Sequence, residues 1–352
     1  VTTISSLPPV IVPPFLIHTA AGALAGSAGA LAAYPIDYVK SQLQTERGRA
    51  EYQNGWDAAF RIVQQDGPTA LYRGAWVNVL GVAPEKTIKL GTNAYVIKLL
   101  RQGLVQPDAA AAAASTATLP LPLEQQVLAG AIAGMMQVIV TNPLEVVKVK
   151  MQTSSMTAKE VMQELDNPMD LYNGASACLV RDMLFSAILF PLYQQLKLLL
   201  LPIFAAGLLA LAGGPDAALA HAVTSADTFG ETAAFWSDLV AGSLAAGPAA
   251  VLSTPADVIK TRIQQARQGN ENQIMNGENV AKGAVVYPSF QGKDAGFFQV
   301  GSTIVAQEGI MVLGSGWLER VVRSTPQFGV TLALFDVLNG LAVEYGWLAE
   351  GQ

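Results

Sequence analysis

Apolar stretches recur along the chain in three pairs. Each pair has a first run with small residues four apart, a polar interval, and a second, less uniform apolar run. The first runs hold Gly22-x-x-x-Gly26, Gly130-x-x-x-Gly134 and Gly242-x-x-x-Ala246, a spacing that lets helices approach closely within a membrane. The second runs lie near 76–103, 176–200 and 317–340. None of these is apolar throughout, so each is a weak spanning signal taken singly. Repetition supplies what each run lacks. Three pairs predict six transmembrane helices in an all-α membrane protein. An even number of spans per pair gives every copy the same orientation, around an axis along the membrane normal. The predicted repeats are 15–107, 123–200 and 233–345. An extension (1–14), a linker (108–122), an insertion (201–232) and a tail (346–352) complete the chain.

Each first run ends in the same polar motif. The three copies are Tyr34-Pro35-Ile36-Asp37-Tyr38-Val39-Lys40 ending at Gln44, Asn142-Pro143-Leu144-Glu145-Val146-Val147-Lys148 ending at Gln152, and Thr254-Pro255-Ala256-Asp257-Val258-Ile259-Lys260 ending at Gln264. The prolines stand about 110 residues apart, a longer period than that of a solenoid repeat. Proline removes a helix hydrogen bond and bends the helix, so Pro35, Pro143 and Pro255 are predicted kinks that draw three helix ends together. The acid and the lysine three residues later share a helix face, where the acid of one copy can meet the lysine of the next. The candidate pairs are Asp37–Lys148, Glu145–Lys260 and Asp257–Lys40, with each glutamine one turn beyond its lysine. An ionisable group in a membrane costs about 2.5–3.5 kcal/mol. A contact pair at intermediate dielectric returns roughly 4 kcal/mol. Such a ring is either a gate that substrate can open or a permanent staple.

The composition agrees with lipid as solvent. Only 14% of the 352 residues are charged, 51% are apolar, and mean hydropathy is +0.35. Net charge is −6, which argues against nucleic acid as a partner. The single cysteine, Cys178, excludes an internal disulfide framework. His18 and His221 are too few for a histidine metal cluster and read as incidental. No nucleophile–base pair, nucleotide loop or metal-spacing motif stands out, so neither an enzyme nor a cofactor is expected. Residues 1–14 are Pro-rich and lack the basic region of a secretory signal, so none is predicted there.

The triple Pro-x-acid-x-x-Lys motif resembles the signature of the mitochondrial carrier family, over about residues 16–345. The first copy also has that family's second half-motif, Asp66-Gly67 and Tyr72-Arg73-Gly74. Three further stretches are similar to the aspartate/glutamate carrier branch: 81–90 around Glu85-Lys86, 181–187 beginning Arg181-Asp182, and 323–329 beginning Arg323. The resemblance implies the mitochondrial carrier fold, with three pseudo-threefold two-helix repeats. It implies short surface helices near 56–66, 157–166 and 294–307. It implies a multi-pass position in the mitochondrial inner membrane and antiport of small carboxylated solutes, amino acids above all. It places Arg181, Asp182 and Arg323, with Glu85 and Lys86, at the contact points for substrate. It makes Asp37, Lys40, Glu145, Lys148, Asp257 and Lys260, with Gln44, Gln152 and Gln264, the matrix gate. An arginine takes a carboxylate in bidentate fashion, a neighbouring acid can hold an α-ammonium, and Arg320 could assist Arg323. The alternative is that these charges pair among themselves.

The chain also departs from that family. The half-motif is eroded at Asp166-Asn167 with Tyr172-Asn173-Gly174, and at Glu308-Gly309 with Gly314-Ser315-Gly316. The gate expected at the opposite end falls on Ala94 and Ile97, Gln194 and Lys197, and Asp336 and Asn339. No pair there is in register, which predicts a resting state closed on the matrix side and open on the other. The stretch from Leu198 through Pro202 to Ala212 either extends a helix or lies at the membrane interface. Residues 267–293, rich in Gly, Asn and Gln, are expected to form a loop. That branch carries a calcium-binding domain, yet no Asp-rich, Gly-centred calcium loop occurs in these residues. The second reading is a transport-inactive, carrier-fold subunit of a larger membrane complex. Membrane lipid is a partner under either reading.

Overall fold

The structure is a computed structural model that describes residues 14–44, 54–72, 75–104, 121–154, 172, 175–211, 215–276 and 297–345. Among the described residues there are helices and no strand. Six helices are long: α1 (Pro14–Gln44), α3 (Ala75–Leu104), α4 (Leu123–Ser154), α5 (Ala175–Leu211), α6 (Pro215–Asn276) and α8 (Trp317–Glu344). Two are short: α2 (Gly55–Asp66) and α7 (Phe297–Glu308), each followed by a 3-10 turn. The long helices pack in chain order, each against the next, and α8 closes on α1. Together they form a six-membered ring.

Five of the long helices contain a stretch long and apolar enough to cross a membrane: Leu16–Val39, Leu123–Pro143, Ala175–Leu208, Gly230–Lys260 and a stretch ending at Glu344. The exception is α3, which carries Glu85, Lys86, Lys89, Lys98 and Arg101. The ring wears its apolar side chains outward: Leu24, Leu128, Leu199, Ile203, Leu244, Leu252 and Leu318 are all exposed. Lys86, Lys89 and Asp182 are buried. That inversion suits a bundle whose outer solvent is hydrocarbon.

The small residues of the first runs set the closeness of the ring. A Cβ on Gly134 would overlap the carbonyl oxygen of Asp182 on α5 and lie 2.9 Å from the Cα of Met183. A Cβ on Gly242 would stand 3.0 Å from the Phe328 carbonyl oxygen on α8. The helices run on through Pro35, Pro143 and Pro255. Pro143 has no N–H to give the carbonyl of Ile139, four residues earlier. The hydroxyl of Tyr172 donates to that oxygen at 3.1 Å, so the aromatic of the half-motif replaces the missing donor. Near the kinks, Thr141 and Thr254 donate back to the carbonyls of Gln137 and Ala250 at 2.8 and 2.7 Å, a bond that favours bending.

The surface helices form where patterning and capping agree. Asn54 caps α2, its side chain accepting from the Asp57 N–H at 2.9 Å, and Trp56 and Phe60 face outward. Arg262 on α6 pairs with Glu308 at the end of α7 at 3.0 Å, so the acid of the third half-motif keeps a partner. The expected helix at 157–166 lies outside the described residues. The stretch after Leu198 extends α5 to Leu211, through Pro202. The expectation of a loop from residue 267 is corrected as far as Asn276, because α6 continues to that point. Arg267, Gln268, Glu271 and Gln273 are good helix formers, and they outweigh the single Gly269.

The close approach at Gly134 is testable. Gly134→Val should lower the unfolding temperature in detergent by several degrees, corresponding to about 1–3 kcal/mol of overpacking. Gly207→Ala, where the added Cβ meets nothing within 4 Å, should leave it unchanged or raise it slightly, since alanine is the better helix former. Equal melting temperatures for both variants would refute the packing argument.

Candidate functional site

Helices α3, α5 and α8 alternate with α1, α4 and α6 around the ring. Side-chain contacts among α3, α5 and α8 therefore cross its interior. Several such contacts converge at one level. Phe185 on α5 meets Phe328 on α8 with ring centroids 5.0 Å apart. The ammonium of Lys86 on α3 lies 4.3 Å from the centre of the Phe328 ring, and that of Lys89 lies 5.2 Å from Phe185. Arg320 stands over the same Phe185 ring at 5.7 Å. Cations over aromatic faces gain from the ring quadrupole, more so away from water.

A ladder of ion pairs runs beside these rings. Glu85 accepts from Lys86 at 3.0 Å. Asp182 is 6% exposed and accepts two hydrogen bonds from Arg181, at 2.5 and 3.2 Å. Lys89 Nζ stands 4.0 Å from Asp182 across the interior. Arg181 also reaches Asp257 of the third Pro motif at 3.7 Å. Asp257 pairs with Arg320 as well, and Arg320 donates to the Ser253 carbonyl at 3.3 Å. Arg323 pairs with Asp37 of the first Pro motif at 2.8 Å. The expected contact residues thus fall into one region. Their charges pair with each other and with two acids of the Pro motifs.

Lys260 is buried. The side chains of Lys40, Gln44, Glu145, Lys148, Gln152 and Gln264 lie outside the described residues. One member of each expected gate pair is therefore among those side chains.

At the opposite end Ala94 and Ile97 leave the expected register unpaired, yet the surviving charges find other partners. Lys197 on α5 pairs with Asp336 on α8, and the hydroxyl of Tyr193 donates to Asp336 at 2.8 Å. Lys197 also lies 2.9 and 3.1 Å from the two oxygens of Asp238 on α6, a carboxylate only 2% exposed. His18 on α1 is hydrogen-bonded to Asn339 on α8 at 3.0 Å, so this histidine ties two helices and is not incidental. The side chain of His221 lies outside the described residues. Ala94, Leu192, Leu196 and Leu338 pack on an apolar core that includes Leu90, Leu189, Leu332 and Phe335. Where an opening was expected, charge pairs, a hydrogen bond and apolar packing join helices at this end. Its two surviving charges meet directly, and helices α1 and α6 supply further partners.

Sequence reasoning passed over Lys89, Phe185, Phe328, Tyr193 and Asp238 as site residues. A signal existed for two of them. Lys89 follows Lys86 by one turn, and Asp238 is a lone acid in an apolar stretch, where an ionisable group ordinarily has a partner or a task.

The family model described as mitochondrial carrier protein matches residues 12–104, 119–203 and 231–346. The chain belongs to the mitochondrial carrier family. It is 37% identical to a mitochondrial electrogenic aspartate/glutamate antiporter of Mus musculus over 331 residues, covering 90% of this chain and 40% of that protein. It is 34% identical to the mitochondrial aspartate-glutamate transporter of Saccharomyces cerevisiae over 335 residues, 92% of this chain and 31% of that one. A calcium-binding mitochondrial carrier protein of Dictyostelium discoideum is 37% identical over 328 residues, 91% and 35% of the two chains. This carrier chain spans less than half the length of these relatives.

The contacts at the Lys197 end make a direct prediction: they close the ring to water there. In a Cys178→Ser background, a cysteine at the buried Asn93 should react slowly with a water-soluble thiol reagent applied from that end. Adding Lys197→Met leaves Asp238 and Asp336 facing each other, and labelling should quicken by about tenfold. Fast labelling before Lys197 is changed would show that the cluster closes nothing.

Proposed function

We propose that this chain is the transporting part of a mitochondrial inner-membrane antiporter that exchanges aspartate and glutamate by alternating access. The observation that carries this reading is the ladder of arginine–carboxylate and lysine–carboxylate pairs crossing the ring beside Phe185 and Phe328. The relatives' names support the choice of solute. The chain is a carrier and not an enzyme, with lipid around it and a small carboxylated solute inside. All six long helices span the membrane as three two-helix repeats, 15–107, 123–200 and 233–345. The extension, linker, insertion and tail lie outside them.

Roles follow from charge and geometry. The Arg181 guanidinium takes one carboxylate in two-point fashion, and Asp182 holds the α-ammonium. Arg323, with Arg320, takes the second carboxylate. Glu85 and Lys86 complete the site from α3. Asp37, Glu145 and Asp257 form the matrix gate with Lys148, Lys260 and Lys40, helped by Gln44, Gln152 and Gln264. The bends at Pro35, Pro143 and Pro255 bring those ends together. Asp37 and Asp257 touch the site arginines, so site and gate draw on one set of charges. A solute carboxylate that takes an arginine changes what the gate acids can hold. The reading as a transport-inactive subunit rested on a lost second gate, eroded half-motifs, insertions and an acidic balance, and the Lys197–Asp336–Asp238 cluster speaks against the first of these.

Purified protein in liposomes loaded with aspartate should take up labelled glutamate saturably. Arg181→Ala should lower exchange by about a hundredfold, the cost of truncating one partner of a buried charge pair. Folded protein that exchanges neither amino acid, or an Arg181→Ala variant at the unmodified rate, would overturn the assignment.

A further inference from the structure

Lys89 is the most deeply buried cation of the interior, at 1% exposure. An ammonium carries three donors, yet among the described residues none makes a hydrogen bond. Its charge partner is Asp182, at 4.0 Å, beyond hydrogen-bond length. Asp182 already accepts from two guanidinium nitrogens, Nε and Nη2, of its chain neighbour Arg181. The Lys89 ammonium lies 5.2 Å from the centre of the Phe185 ring, and the residue as a whole is buried. A buried lysine is thus poised one short step from a carboxylate that is engaged elsewhere.

That arrangement meets a difficulty in the proposed binding step. A solute carboxylate that takes the Arg181 fork must first displace Asp182 from it. A buried carboxylate stripped of its partner is strongly unfavourable. We propose that Lys89 is the positioning residue that receives Asp182 when solute takes Arg181. The Asp182 carboxylate swings from the guanidinium to the ammonium by about one ångström and stays ionised. It then faces the solute's α-ammonium, while Lys89 itself never touches solute. This inference rests on the assignment of Arg181 and Asp182 to solute binding. It adds a residue that makes the exchange of partners possible.

The test uses the full chain in liposomes, with aspartate and glutamate as the solutes. Lys89→Met should raise KM about tenfold for both, by the same factor, with maximal rate within about twofold. Lys89→Arg should restore KM. In an Asp182→Asn background, Lys89→Met should raise KM no further, because the carboxylate that needed a receiver is gone. If Lys89→Met does not fold, Lys89→Gln beside Lys89→Arg carries the same comparison. An unchanged KM in the Met or Gln variant would overturn the proposal. So would a rise that differs between aspartate and glutamate, since that marks Lys89 as a direct ligand of the side-chain carboxylate. A fall in maximal rate at unchanged KM would overturn it as well. Absence of exchange by the unmodified chain would instead defeat the functional assignment beneath it.

Discussion

Charge inside a ring surrounded by lipid must find opposite charge inside the same ring. Every other feature of this molecule is arranged around that constraint. The outer face cannot help, because Leu24, Leu128, Leu199, Leu244 and Leu252 turn it to hydrocarbon. The interior therefore settles its own account: Lys86 with Glu85, Arg181 with Asp182 and Asp257, Arg320 with Asp257, Arg323 with Asp37. At an effective dielectric of about 20, two unit charges 4 Å apart attract by roughly 4 kcal/mol. That is enough to hold a side chain in place and small enough for a solute of matching charge to displace it. A binding site for a charged amino acid is the natural product of such a lattice, because the solute offers the same groups the pairs already use.

Pairing across the interior requires the helices to come close, and the backbone provides for that. Gly134 brings α4 against the peptide of Asp182, so one contact both tightens the ring and fixes the base of a candidate site residue. The prolines cost helix hydrogen bonds. Tyr172 repairs one by donating to Ile139. The aromatic of the half-motif is thus tied to the proline of the preceding motif by a specific carbonyl. Pairing at the other end uses the same economy: Lys197 serves Asp336 and Asp238 together, and Tyr193 supplies a further donor.

The architecture was legible because its signals repeat. No second run was convincing alone, and α3 is too charged to register as a span, yet the triple motif located all six long helices. The contact residues Arg181-Asp182 and Arg323 were legible through stretches similar to the aspartate/glutamate carrier branch, and these charges fall into one region of the ring. The pairing was not legible. Helical faces suggested that the motif acids meet lysines of other repeats, but nothing in the spacing says that Asp257 also touches Arg181 and Arg320. The partners at the far end were missed for a related reason. Pairing by register considers only α3, α5 and α8. Asp238 and His18 enter from α6 and α1, where a period-based reading has no position for them. The length of α6 was misjudged because Gly and Asn weighed more in the composition than the good helix formers around them.

The central claim is that solute and gate acids compete for the same arginines. The direct measurement is the equilibrium affinity of the purified chain for aspartate, before and after Asp257→Asn. That substitution keeps shape and removes the charge that pairs with Arg320 and reaches Arg181. Competition predicts that aspartate binds several-fold more tightly to the variant, because Arg320 loses its pairing with Asp257 and Arg181 keeps only Asp182 to be displaced. An affinity that is unchanged or weaker would mean that gate and site are separate, and that the contacts of Asp257 with the two arginines play no part in binding.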